Sequence, residues 1–228
     1  MSKIKNKTVL ITGGAAGIGK LMGKLCLEAE GASKLVIWDI NEEAMAATKA
    51  EFSDYEVHTY KVDVSNQHMI EETAQKVLEE VGTVDILFNN AGIVVGKRFE
   101  EHTHGDIEKT IAINVTALMH IAREFLPAML EQGSGHIINI ASAAGMVGNP
   151  KMSVYAGSKW AVIGWSESLR LELEALKKDL HVLTVMPSYI NTGMFDGVKA
   201  PMLTPFLEPD DISKRIIKAV KNNEPELR

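Results

Sequence analysis

The chain has 228 residues, 46% hydrophobic and 24% charged, with a formal net charge of −6. That length supplies one large core, and the acidic balance excludes a basic nucleic-acid footprint. The single cysteine, Cys26, excludes an internal disulfide and points to a reducing, cytoplasmic setting.

The amino terminus runs into an apolar strand within a few residues, unlike a signal peptide or membrane anchor. No window approaches eighteen uninterrupted apolar residues, so no integral membrane segment is expected. Lys7–Thr12 is short and nearly all apolar, as a strand covered on both faces would be. Thr12-Gly-Gly-Ala-Ala-Gly-Ile-Gly19 follows, and then a helical pattern over Ile18–Glu30. Strand, glycine turn and helix bring backbone N–H groups and a helix start toward a phosphate. Gly13 would permit the tight turn, and Gly17 and Gly19 a close approach. Glycine also serves ordinary turns, so the turn alone decides little.

Lys34–Trp38 predicts the second strand, ending at Asp39. A carboxylate there can accept from the adenosine ribose hydroxyls and would repel a 2′-phosphate. The alternative is that Asp39 opens the next turn, with Asn41 capping a helix over Glu42–Phe52. Ala16 is not basic, and with Asp39 it favours NAD over NADP. Glu56–Val62 predicts the third strand, followed by Asp63-Val64. A helix over Asn66–Val81 comes next, with Ser65 as its cap. Val84–Phe88 predicts the fourth strand, followed by Asn89-Asn90-Ala91-Gly92, small and amide residues suited to a crevice wall.

His102 and His104 have metal-ligand spacing, but no third ligand accompanies them, so no metal is predicted. A long helical pattern, interrupted or kinked, covers Thr103–Glu131, and Pro127 should bend it. Asn114 lies amid apolar residues there, as a core hydrogen-bond hub or a site residue. Gly135–Ile140 predicts the fifth strand, with Ser142 just past its end. One helix is expected over Ser153–Lys178. Tyr155 and Lys159 are a turn apart on it and share a face. Such pairs are common on helices. A lysine ammonium near a phenol also lowers its pKa and suits it to proton transfer. Leu180–Met186 predicts the sixth strand, and Pro187–Thr192 leaves it. Met194, Phe195, Val198, Met202, Leu203, Phe206 and Leu207 then give an apolar segment before a last helix over Asp210–Val220. Residues 188–208 read as a flap over the substrate. Strands alternating with helices predict a three-layer, doubly wound parallel sheet of Rossmann type. Its expected order is 3-2-1-4-5-6, as a single domain over residues 1–228.

Taken together these motifs resemble the short-chain dehydrogenase/reductase family. The resemblance rests on Thr12-Gly-x3-Gly-x-Gly19, Asn89-Asn-Ala-Gly92, Asn114, Ser142, Tyr155-x3-Lys159 and Pro187-x4-Thr192, in order along almost the whole chain. It implies Tyr155 as general acid/base, Ser142 as partner of the substrate oxygen and Lys159 on the nicotinamide ribose. Asn114 would support a water relay. The implied cofactor set is Gly13, Gly17, Ile18, Gly19, Asp39, Asp63, Val64, Asn90, Ala91, Gly92, Tyr155, Lys159, Pro187 and Thr192. Two departures stand out. Ser188 follows Pro187 where the family has glycine, and the chain reaches Arg228 where a seventh strand would begin. At least six strands are therefore expected, with the seventh missing or the sheet closed differently. Trp38-Asp-Ile-Asn41, Gly197-Val198-Lys199 and the run from Pro205 to Pro209 are similar to the retinol dehydrogenase and 17-beta-hydroxysteroid dehydrogenase branch.

The resemblance implies an oxidoreductase moving hydride between NAD(H) and a lipophilic alcohol or carbonyl. Contact with a membrane surface would be weak and peripheral. A homodimer or homotetramer is implied, through the helices at 103–131 and 153–178. One alternative is a non-catalytic NAD-binding sensor or scaffold of the same fold. Another is an epimerase or dehydratase of the extended relatives, for which the chain looks too short.

Overall fold

The computed structural model describes residues 3–191 and 206–228. Its sheet is ordered β3-β2-β1-β4-β5-β6-β7, with every pairing parallel. The strands are β1 (Thr8–Thr12), β2 (Lys34–Asp39), β3 (Glu56–Lys61), β4 (Ile86–Asn89), β5 (Ser134–Ile140), β6 (Asp179–Val185) and β7 (Glu226–Leu227). The helices are α1 (Gly17–Lys24), α2 (Glu42–Glu51), α3 (Gln67–Glu80), α4 (His104–Ile111), α5 (Ala117–Gln132), α6 (Ser153–Ala175) and α7 (Pro209–Asn222).

All five residues of β1 are buried, as expected of a strand with a helical layer on each face. On one face Val9 and Ile11 join Met22 of α1, Met45 of α2 and Ile216 of α7 in one core. On the other, Leu10 joins Ile70 of α3, Phe125 of α5 and Leu169 of α6 in a second. The alternation along β1 thus sends Val9 and Ile11 to one core and Leu10 to the other. β1 connects through α1 to β2, whereas β4 leads away toward β5. The carboxyl ends of β1 and β4, paired at Ile11 and Phe88, therefore border a crevice.

Two expectations, on the seventh strand and on the cap of α3, need correction, and a third is sharpened. A seventh strand exists: Glu226 and Leu227 pair with Thr184 and Val185, and the Met186 N–H donates to the Leu227 carbonyl at 2.7 Å. Left-handed Asn223 ends α7 and returns the chain to the open edge of β6. The cap of α3 is Asn66, whose side chain accepts from Met69 N–H, because Ser65 is turned to Asp63 by a 2.6 Å hydrogen bond. The long helical pattern breaks at a π-turn over Ala112–Thr116, while Pro127 lies inside α5 without ending it. A second π-turn, Leu25–Ala29, extends α1 and buries Cys26. Asn41 caps α2 as expected, accepting from Ala44 N–H at 3.0 Å.

Candidate active site

The glycine turn is built by backbone geometry. Gly13 (φ +62°) and Gly17 (φ +54°) both occupy the left-handed region. A Cβ on Gly19 would collide with the Gly13 carbonyl and the Asn90 amide, so only glycine lets α1 pack this close. α1 begins at Ala16 with no side-chain cap, whereas Asn side chains cap α2 and α3. Its first N–H groups are therefore left for a ligand, at the positive end of the helix.

The turn after β4 is stitched to this loop. Thr12 Oγ1 accepts from both Asn90 N–H and Ala91 N–H at 3.0 Å. Asn90 Nδ2 donates to the carbonyls of Thr12 (2.9 Å) and Gly13 (3.1 Å). Thr12 is thus an anchor that the sequence motif contained without revealing its task.

A cleft of about 490 Å³ opens between these turns and the carboxyl ends of β5 and β6. It is lined by Gly13, Gly17, Ile18, Gly19, Asn90, Ala91 and Gly92, and by Ser142, Tyr155, Lys159 and Pro187. Residues from five chain segments thus meet as the motifs predicted. Asp39, Asp63 and Val64 are not on its walls; they lie toward the ends of β2 and β3. Asp39 accepts from Ala15 N–H at 3.1 Å and from Asn41 N–H at 3.0 Å, so it holds the glycine turn and opens the next turn as well. Asp63 accepts from Ser65. Thr192 and the apolar residues 194–205 lie outside the described residues.

Tyr155 and Lys159 are 6% and 5% exposed, which makes both environments strongly dehydrating. Burial pushes the Tyr155 phenol above its usual value; a hydrogen bond with Ser142 opposes this, and Tyr189 adds to it. The lowering expected from Lys159 does not offset this burial. Lys159 Nζ lies 5.7 Å from the Tyr155 ring centroid and donates instead to the Ile140 carbonyl at 2.8 Å. No other protein partner meets the ammonium among the described residues, and burial lowers its pKa to about 8. Ser142 Oγ accepts from Ala144 N–H at 3.2 Å.

Asn114 stands behind the cleft, fully buried in the π-turn. Its Oδ1 accepts from Ile93 N–H at 2.8 Å; its Nδ2 donates to the Ile93 carbonyl (2.9 Å) and to Ser158 Oγ (3.1 Å). Ser158 in turn donates to the Tyr155 carbonyl at 2.6 Å. The side chain is thus a clamp between the segment after Gly92 and the first turns of α6. Ser158 was missed in the sequence, where a buried serine beside Lys159 carries no distinctive signal. His102 packs near Phe99, with ring centroids 6.4 Å apart. Among the described residues no group of three or more His, Cys, Asp or Glu could hold a metal ion.

A second cavity, of about 320 Å³, shares Ser142, Tyr155 and Ser188 with the first and continues along Ala143, Met146, Met152 and Tyr189. The Ser142 hydroxyl and the Tyr155 phenol therefore belong to both cavities. Uncapped amides, a glycine cradle and a buried ammonium fit a nicotinamide dinucleotide in the larger one.

The chain belongs to the short chain dehydrogenase family, whose profile matches residues 7–202. It is a nicotinamide-dependent oxidoreductase. It is 40% identical to "Short-chain dehydrogenase/reductase family 16C member 6" of Bos taurus, over 95% of this chain and 70% of that one. It is 38% identical to epidermal retinol dehydrogenase 2 of Mus musculus and to estradiol 17-beta-dehydrogenase 11 of Homo sapiens, each over 95% of this chain and 72% of the relative. Among solved structures, a short-chain dehydrogenase/reductase from Burkholderia phymatum in complex with NAD superposes with a TM-score of 0.91 at 27% identity, covering 100% of this chain and 90% of that one. One from Sphingobium yanoikuyae in complex with NADPH gives 0.87 at 26% identity, covering 97% and 86%. Dinucleotides with and without the 2′-phosphate thus occur among its structural neighbours.

Proposed function

We propose that the protein interconverts a lipophilic alcohol and its carbonyl with NAD(H), and that Tyr155 moves the hydroxyl proton. The observation that carries this is the meeting of the two cavities at Ser142 and Tyr155. The bound nicotinamide supplies or accepts the hydride. Ser142 holds the substrate oxygen beside the Tyr155 phenol. Tyr155 takes the hydroxyl proton in oxidation and returns it in reduction. Lys159, with donors facing the cleft, holds the ribose, and its charge favours phenolate once the two are brought together. Asn114, clamped through Ser158, fixes the first turn of α6 and so the position of Tyr155. Gly13 to Gly19 receive the pyrophosphate. Asp63, Val64 and the Asn90–Gly92 turn flank the adenosine half, and Pro187 and Thr192 the nicotinamide end.

NAD is favoured over NADP because Asp39 ends β2 beside the turn and Ala16 offers no cation to a 2′-phosphate. Each Asp39 oxygen keeps a lone pair for a ribose hydroxyl. Lipophilic substrates are favoured by the alanine and methionine wall of the second cavity, and by likeness to proteins named for retinol and estradiol. We assign the whole chain to one domain, with 188–208 as the substrate cover.

Assembly as a homodimer or homotetramer through α4 to α6 is supported by Trp160 (55% exposed) and Leu171 (53%) on α6. A cytoplasmic location fits the single buried thiol of Cys26. Among the described residues no helix is long and apolar enough to cross a membrane, and any membrane contact is read as peripheral.

Two measurements test the reading. Tyr155→Phe kinetics on retinol, estradiol and a long-chain alcohol should show near-complete loss; activity within a few-fold of wild type would remove the proton role. Fluorescence titration with NADH and NADPH should favour NADH, and tighter NADPH binding would overturn the argument from Asp39.

A further inference from the structure

The wall of the second cavity is not uniformly apolar. Asn149, in the loop between β5 and α6, donates from Nδ2 to the Tyr189 hydroxyl at 2.8 Å. Both residues line the cavity that also contains Ser142 and Tyr155. Ala143, Ala144, Met146 and Met152 line the same cavity. Tyr189 is held firmly: its carbonyl accepts from Leu207 N–H at 2.7 Å, and its ring packs on Phe206 with centroids 5.9 Å apart. The Asn149 backbone is also fixed, its carbonyl accepting from Met152 N–H at 3.2 Å.

The Asn149 amide has two N–H donors and an acceptor oxygen. One N–H goes to Tyr189. Among the described residues the other N–H and Oδ1 have no protein partner. In the open pocket, water serves them. A wholly apolar substrate body would displace that water and leave both groups unsatisfied, which weakens its binding. A substrate oxygen at that point restores the lost bonds. The pocket therefore holds a reacting pole and, in the same mixed apolar wall, a recognising one.

We propose that Asn149 and Tyr189 are specificity-determining residues that select lipophilic alcohols carrying a second hydrogen-bonding oxygen. The inference rests on the reading of Ser142 and Tyr155 as the reacting pole. A ligand with a hydroxyl or carbonyl at each end of an apolar body matches both poles. A monofunctional alcohol of the same skeleton matches only one.

The test uses paired probes on the full chain: estradiol against 3-deoxyestradiol, and cyclohexanol against its 1,2-, 1,3- and 1,4-diols. Their dissociation constants are read by calorimetry on the NADH-loaded protein, and kcat/KM is read where turnover occurs. At least one dioxygenated probe should bind roughly tenfold tighter than its monofunctional partner, the scale of one well-made hydrogen bond. In Asn149→Leu, which keeps the size and removes the polar groups, that ratio should fall toward one. In Tyr189→Phe it should fall by several-fold, since the amide loses the phenol that orients it. Each variant must still bind NADH, which shows that it is folded; were Asn149→Leu not to, Asn149→Ser is read in its place. Equal binding by every pair in wild type overturns the proposal, as does a preference that survives both substitutions. Absence of turnover on every probe would count against the proposed substrate class and the reacting role of Ser142 and Tyr155, while the affinity ratios would still decide this one.

Discussion

At the carboxyl edge of the sheet, Tyr155 and Lys159 are buried beside the cleft. At the amino edge His136 is buried against His181, their ring centroids 5.5 Å apart, in the wall of a cavity of about 270 Å³. Burial disturbs titration at both ends: Lys159 falls to about 8 and His136 to about 3. A perturbed pKa therefore does not by itself locate the chemistry. The neighbours differ. At the amino edge Lys7 pairs with Asp85, and His181 Nε2 lies within hydrogen-bond distance of Asp179 Oδ1, each at 2.7 Å. At the carboxyl edge the Lys159 ammonium, the first amides of α1 and the Ser142 hydroxyl all face the space a ligand would fill. Donors from several chain segments converging on one glycine-lined cleft mark the functional end; dehydration alone does not.

The largest expected effect breaks the functional end. Tyr155→Phe should lower kcat by about 10²- to 10⁴-fold, the usual contribution of a positioned acid or base. Because burial raises the phenol in the free protein, alcohol oxidation in wild type should rise with pH as more phenolate forms. Carbonyl reduction, which needs the proton, should lose rate over the same range. A pH–kcat/KM profile in both directions checks this; an oxidation rate falling with rising pH would contradict the base assignment.

Lys159→Met should separate function from stability. A folded pKa of about 8 against 10.5 for an ordinary lysine means the unfolded chain holds its proton more tightly. Stability therefore rises with pH between those values. Below about 8 the buried ammonium costs up to about 3 kcal/mol. Removing it should raise the urea midpoint at pH 7 while weakening NADH binding about tenfold or more. In wild type, NADH affinity should fall as pH passes about 8 and the ammonium loses its charge; in Lys159→Met that step should vanish. A variant less stable than wild type at pH 7 would show that the Ile140 hydrogen bond outweighs the dehydration.

These expectations also show where the sequence stopped being informative. Buried strands and the glycine turn were legible because burial on both faces and left-handed backbone each restrict residue choice to a few types. The order of the first six strands followed from alternation and handedness. The π-turn at Ala112–Thr116 was not legible, since its residues fit an α-helix equally well; one extra residue per turn leaves no compositional trace. β7 was missed because two residues cannot show alternation. Spacing placed Tyr155 and Lys159 on one face, but it could not reveal that Nζ turns to the Ile140 carbonyl. Nor could it pair Asn149 with Tyr189, forty positions apart, a contact made only when β5 and β6 align.

The smallest expected effect tests the other end of the comparison. His136 is 2% exposed, and among the described residues neither ring nitrogen has a hydrogen-bond partner. Its folded pKa of about 3 lies below the ordinary 6.5, chiefly through burial. His181 opposes its charge and Asp179 favours it. Between those values the unfolded chain binds the extra proton, so stability is lost as pH falls from about 6.5 toward 3. His136→Phe, apolar and of similar shape, should be neutral to about 1 kcal/mol stabilising at pH 7. At pH 5 its advantage should grow to about 2 kcal/mol, because the variant has no proton to exclude there. Urea unfolding of both proteins at the two pH values reads the difference. Turnover should be unaffected, since the substitution lies at the far end of β5 from Ser142. If the variant lost activity while remaining stable, the amino edge would be coupled to the cleft and the contrast between the two ends would fail.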